Sequence, residues 1–140
     1  MEERGGAIVD TCVLASKKLG ALKALNVKPY VTPVVLLEYF NWALESRNLR
    51  LARGDVERAK GYERLIELLP LVLAELGMEV LEQRFTIAEL REVANLILQR
   101  SVDPGDALNA ITAKKENMSI VTLDEDWQRL SDYVTAVITL

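Results

Sequence analysis

Four carboxylates stand where folding could bring them together. Asp10 directly follows the apolar run Ala7-Ile8-Val9. Glu38 lies among Val34, Val35, Leu36, Leu37, Tyr39 and Phe40. Asp106 sits one turn into a segment opened by Asp103-Pro104, and Asp124 follows Ile120-Val121-Thr122-Leu123. Glu38 is the most telling of them, because glutamate is almost never fully buried without a partner. An isolated buried carboxylate is costly or takes up a proton, and a bound cation or a basic partner is the usual relief. Clustered carboxylates also raise one another's pKa, so a cluster needs compensating positive charge at neutral pH. One or two divalent ions provide that charge, lower the pKa of a bound water and stabilise the oxygens of a phosphoryl transition state. Metal-assisted phosphodiester hydrolysis is the chemistry that suits this inventory.

What is missing narrows the choice. The 140-residue chain has no histidine, which excludes every mechanism built on an imidazole base. Its one cysteine, Cys12, rules out an intrachain disulfide and a Cys-rich zinc site. An oxygen-liganded cation such as Mg²⁺ or Mn²⁺ is therefore expected. The formal charge of −4, from 17 basic and 21 acidic residues, is too mild to suggest a domain that wraps duplex DNA electrostatically. It does not exclude nucleic acid, since a metal ion reverses the local sign in an acidic pocket.

The elements that must position the acids follow from the apolar pattern. Short strands are expected at Ala7–Val9, Tyr30–Thr32, Met78–Leu81, Ser119–Thr122 and Val134–Ile138. Between them lie a helix after Asp10, for which Thr11 is a possible cap, and a helix started by Thr32-Pro33. The latter is apolar nearly all round and is expected to be buried on most sides. A helix opened by Asp55 should run to about Glu75, kinked or broken at Pro70. Thr86-Ile87-Ala88-Glu89 forms a capping box for the next helix. Asp103-Pro104 starts another, which Asn117 stops. A short helix around Trp127–Leu130 follows. Strands that are short and continuously apolar suit a parallel sheet covered on both faces, so residues 1–140 are expected to form one α/β domain. In such sheets ligands sit beyond the C-terminal strand ends, where Asp10 and Asp124 would emerge together.

Each acid has a structural alternative. Asp106 could be a first-turn acid favoured by the helix dipole. Asp124 and Asp126 could be turn or cap residues, and Asp10 could cap the next helix. Glu38 could pair with an arginine from the basic stretch 45–64, which is itself most simply a solvated helix face. Cys12, Trp42 and Trp127 are expected in the core. None of these readings explains the joint pattern.

That joint pattern resembles the PIN domain, the nuclease fold typified by the VapC toxins of toxin–antitoxin pairs. The segment from Asp106 to Trp127, DALNAITAKKENMSIVTLDEDW, resembles the family's D-A-x-x-A-x-x-A helix followed by a strand and T-x-D-x-D-F, with Trp127 in place of the phenylalanine. Ile8-Val9-Asp10-Thr11 resembles its opening aspartate motif, and Val34–Glu38 its buried glutamate. The resemblance implies a PIN-like fold with a short, mostly parallel central sheet flanked by helices. It also implies metal-binding carboxylates at Asp10, Glu38, Asp106 and Asp124, with Asp126 as an auxiliary acid. Thr122 and Thr11 would orient carboxylates or bound water. It further implies RNA cleavage with Mg²⁺ or Mn²⁺, homodimers, and a small antitoxin that blocks the site. The interval from Asp10 to Glu38 is short beside many toxins, and the 45–75 region is generous.

The leading expectation is a metal-dependent endoribonuclease, with Arg47, Arg50 and Arg53 as contacts to the RNA backbone. The alternatives are an inactive RNA- or protein-binding module, or an aspartyl-phosphate enzyme. The last is disfavoured because Cys12 stands where haloacid-dehalogenase-like enzymes have an acid two residues after the first aspartate. The start MEERGGAIVD has no basic, then apolar, signal pattern, and no apolar run suggests a membrane span, so a cytoplasmic protein is expected.

Overall fold

The computed structural model describes residues 5–140; the polar leader ahead of Gly5 lies outside the described residues. Five strands, β1 (Ala7–Val9), β2 (Pro29–Val31), β3 (Glu79–Val80), β4 (Ser119–Thr122) and β5 (Val137–Thr139), form one sheet in the order β3-β2-β1-β4-β5. Every pairing is parallel. β1 is the central strand and is wholly inaccessible to solvent, as its unbroken apolar run requires of a strand covered on both faces. Ile8 pairs with Tyr30 on one side and with Ile120 on the other, and Val9 lies beside Val121. The residues that follow, Asp10 and the Leu123-Asp124 turn, therefore leave the sheet at one edge.

The helices are α1 (Thr11–Leu14), α2 (Pro33–Ala52), α3 (Val56–Glu75), α4 (Ile87–Arg100) and α5 (Pro104–Glu116), with 3-10 segments at Lys17–Ala24 and Glu125–Tyr133. The caps at Asp55, Thr86 and Asp103, the Thr86–Glu89 capping box and the left-handed stop at Asn117 stand where the sequence puts them. Asp10, not Thr11, caps α1. β2 ends at Val31, which frees Thr32 to cap α2. β5 starts at Val137, three residues later than its apolar run.

Two expectations are corrected. α2 is not buried on most sides: its buried residues Val35, Tyr39 and Ala43 form one stripe at four-residue spacing. Leu37 is 62% exposed and Leu44 46%. The reason is that α2 turns back through Arg53–Asp55 into α3 and packs on it as a hairpin, with Trp42 edge-on to Tyr62 at 5.6 Å, so its outer face has no neighbour. Of the kink or break expected at Pro70, the break does not occur: α3 runs through it. Pro70 lies on the exposed side, where the carbonyl it leaves without a donor, that of Ile66, can bond to water.

One buried polar network ties the start of α2 to α5. Thr32, with no exposure, accepts the Val35 N–H at 3.1 Å and donates to Asn109 Oδ1 at 2.7 Å. Gln83 Nε2 donates to the same Asn109 oxygen at 3.1 Å and to Thr112 Oγ1 at 3.0 Å. Thr32→Val keeps the shape but removes both the cap and the link. It should lower stability by about 2 kcal/mol in denaturant unfolding. A loss within error would show that neither bond matters.

Candidate metal centre

Asp10 is the anchored member of the cluster. It is 7% exposed. Its Oδ1 accepts the Thr11 N–H at 2.9 Å. Its Oδ2 accepts the Thr122 hydroxyl at 2.8 Å, the Trp127 indole N–H at 3.2 Å and the Cys12 thiol at 3.3 Å. Thr122 sits at the end of β4 and also accepts the Asp124 N–H at 2.9 Å, so one hydroxyl ties two of the acids to the sheet edge. Burial pushes the Cys12 thiol above its ordinary pKa, which keeps it protonated as a donor.

Glu38 reaches the same edge from the second turn of α2. It is half-buried, and Thr11 Oγ1 donates to its Oε1 at 2.9 Å. Burial raises its pKa, the Thr11 bond opposes that rise, and the charges of Asp103 and Asp10 add to it. The alternative in which an arginine from 45–64 neutralises Glu38 is not what the chain does: Arg47 pairs with Glu63 at 3.1 Å across the α2–α3 hairpin. Glu38 instead lies against the first turn of α5, where a Cβ on Gly105 would come within 2.7 Å of its Oε2. The absence of a side chain at position 105 makes room for that carboxylate.

Asp106, in the first turn of α5, feels all the others. Burial is the largest cause, and the charges of Asp10, Asp103, Glu38 and Asp124 add to it, raising its pKa from 3.8 to about 8. Among the described residues no ion pair involves Asp10, Glu38, Asp103, Asp106 or Asp124. What relief exists is dipolar. Asp10, Asp103 and Asp124 each accept a backbone N–H at the start of a helix or 3-10 segment. The cap reading and the cluster are therefore not exclusive.

The remaining candidates lie farther out. Asp126 is exposed at the rim, 3.7 Å from Arg129. Arg47, Arg50 and Arg53 occupy the far end of α2, roughly 13 to 23 Å from Glu38 at the helical rise per residue. The sequence pattern places Trp127 and Cys12 in the core and Asp103 at a cap, and the structure adds that the first two bond to Asp10 and that the charge of Asp103 is felt at Glu38 and Asp106. The signals were present: a buried indole N–H needs an acceptor, Cys12 is two residues from Asp10, and Asp103 is one turn from Asp106.

In kind, these residues fit a hard divalent cation. The donors are all carboxylate oxygens, their repulsion has no basic partner among the described residues, and Gly105 leaves backbone bare beside Glu38. Among the described residues, no three acidic or thiol side chains are gathered tightly enough to hold an ion as they stand.

The PIN domain family model matches residues 7–133 of the chain. No curated protein matches it significantly. Among solved structures, the chain is similar to PAE2754 from Pyrobaculum aerophilum, with 22% identity, a TM-score of 0.61, and coverage of 96% of this chain and 88% of that one. It is also similar to VapBC-5 from Mycobacterium tuberculosis, a member of the VapBC family of toxin–antitoxin systems, with 15% identity, a TM-score of 0.54, and coverage of 97% and 98%. At these identities the two likenesses speak to the fold.

Two outcomes are expected of this geometry. Between 3.8 and about 8 the folded chain holds the Asp106 proton that the unfolded chain releases, so stability falls as pH rises through that window and levels off above it. In metal-free buffer, Asp106→Asn should reduce that decline and raise the melting temperature at pH 8 by a few degrees; parallel pH profiles for the two proteins would contradict it. Gly105→Ala should displace Glu38 with little change in stability, because the crowded atom ends a flexible side chain, and should weaken Mg²⁺ binding in isothermal titration.

Proposed function

Because the chain belongs to the PIN domain family, we propose that it is a metal-dependent endoribonuclease that hydrolyses RNA phosphodiester bonds. The observation that carries this reading is the convergence of Asp10, Glu38, Asp106 and Asp124 on one edge of a parallel sheet, with the charges of the other three felt at Asp106 and, among the described residues, no basic side chain paired to them. In this reading those four carboxylates hold Mg²⁺ or Mn²⁺, with Asp126 as an auxiliary acid at the rim.

A bound divalent cation would neutralise the cluster, activate water and stabilise charge on the scissile phosphate. The chain's own groups set up that chemistry. Thr122 and Thr11 hold Asp10 and Glu38 by hydrogen bonds. To hold a cation Asp106 would have to be without its proton, so binding is expected to strengthen with pH up to about 8. Arg50 and Arg53, unpaired among the described residues, and Arg47 beyond its bond to Glu63 would meet phosphates of the RNA backbone away from the cut.

The likeness to VapBC-5 supports a finer reading, in which the chain is the toxin of a toxin–antitoxin pair acting on cytoplasmic RNA. The exposed apolar residues Leu37 and Leu44 on α2, with Leu65 and Leu68 on α3, suit a protein partner, whether an antitoxin or a second copy in a homodimer. No helix is long and apolar enough to cross a membrane among the described residues.

The test is cleavage of a mixed set of single-stranded and folded RNAs with Mg²⁺ or Mn²⁺, comparing the native chain with Asp106→Asn. Cleavage should require the metal, stop with chelator and be lost in the variant. If the folded native chain cuts none of the RNAs and isothermal titration detects no bound metal, the nuclease reading gives way to an RNA- or protein-binding module.

A further inference from the structure

We infer that Trp127 is a positioning residue of the carboxylate centre: with Thr122 it holds Asp10 Oδ2 and leaves Oδ1 as the atom that takes a cation. The inference rests on the metal-centre reading above and deepens it. A carboxylate oxygen has about two lone pairs to offer. Oδ2 already meets three donors, from Thr122 at 2.8 Å, Trp127 at 3.2 Å and Cys12 at 3.3 Å. Among the described residues Oδ1 meets only the Thr11 N–H at 2.9 Å and keeps acceptor capacity. Asp10 is thereby committed to a single ligating oxygen.

Trp127 differs in kind from the other two donors on Oδ2. A hydroxyl can rotate and accept instead, and a thiol is a weak donor, whereas the indole N–H only donates. The ring is 1% exposed and packed in the main core with Leu130, so its N–H direction is set by packing rather than by solvent. The backbone N–H of Trp127 bonds the Asp124 carbonyl at 3.3 Å, so the turn that carries one acid of the cluster also aims the indole at another. A phenylalanine at this position would keep most of the ring and lose the donor. A buried indole needs some acceptor in any fold, and a purely structural bond would leave cation affinity untouched. That difference is measurable.

The experiment uses the whole ¹⁵N-labelled chain, whose two indole N–H resonances, from Trp42 and Trp127, are told apart with Trp42→Phe. On titration with Mg²⁺ alone the Trp127 resonance should shift and the Trp42 resonance should stay. By isothermal titration Trp127→Phe should bind Mg²⁺ about tenfold more weakly, the usual consequence of losing a hydrogen bond to a metal ligand, while Trp42→Phe binds as the native chain does. A native chain that binds Mg²⁺ with a stationary Trp127 resonance, or a folded Trp127→Phe chain of unchanged affinity, overturns the inference and spares the metal reading. A native chain that binds no Mg²⁺ overturns both. Should Trp127→Phe fail to fold, the native resonance alone decides.

Discussion

Carboxylates gathered at one edge of a sheet repel one another, and burial makes Asp106 and Glu38 less willing to ionise. In this chain the repulsion is met without a single basic partner among the described residues, and the surroundings of the cluster are arranged around that constraint. Donors that carry no charge do the holding. Thr122, Trp127, Cys12 and a backbone N–H grip Asp10, Thr11 grips Glu38, and helix starts face Asp10, Asp103 and Asp124. Neutral donors orient the acids without cancelling their charge. A site that paired each acid with an arginine would be more stable alone and would have less to gain from a cation. Asp106, surrounded on the most sides, bears the largest consequence.

Holding such a cluster requires rigid elements beneath it. Asp10 stands level with Thr122 at the ends of adjacent parallel strands, and the Thr122 hydroxyl also holds the Asp124 N–H, so the sheet edge positions both acids. Glu38 and Asp106 come from helices, which could slide, and the Thr32–Asn109–Gln83 network joins the start of α2 to α5. That join leaves the Asn109 amide nitrogen buried without a partner among the described residues. An unmade bond of this kind opposes folding, and it is tolerated at the junction that keeps two of the four acids in relation to the sheet. Gly105 completes the junction by letting Glu38 lie against the first turn of α5.

The α2–α3 hairpin is built differently. Only one stripe of α2 is buried, and both helices leave leucines in water. The acids sit at the root of this hairpin and the arginines toward its far end, so one long element joins the compact centre to a surface suited to larger partners.

Much of this could be read in the sequence, for definite reasons. Continuous apolar runs forecast buried parallel strands, because a strand covered on both faces has no polar side to show. Capping residues marked helix starts, because the orphan N–H groups there demand an acceptor. An acid following each of two such strands was enough to forecast one acidic edge, and the absence of histidine excluded an imidazole base. Relations between distant positions were decided by tertiary structure alone. Whether Glu38 met Arg47 or Thr11, whether α2 was covered or bare, and that the Trp127 indole found Asp10 across 117 positions all depend on which elements become neighbours. Side-chain type records what a residue can donate or bury; only packing determines what stands opposite it.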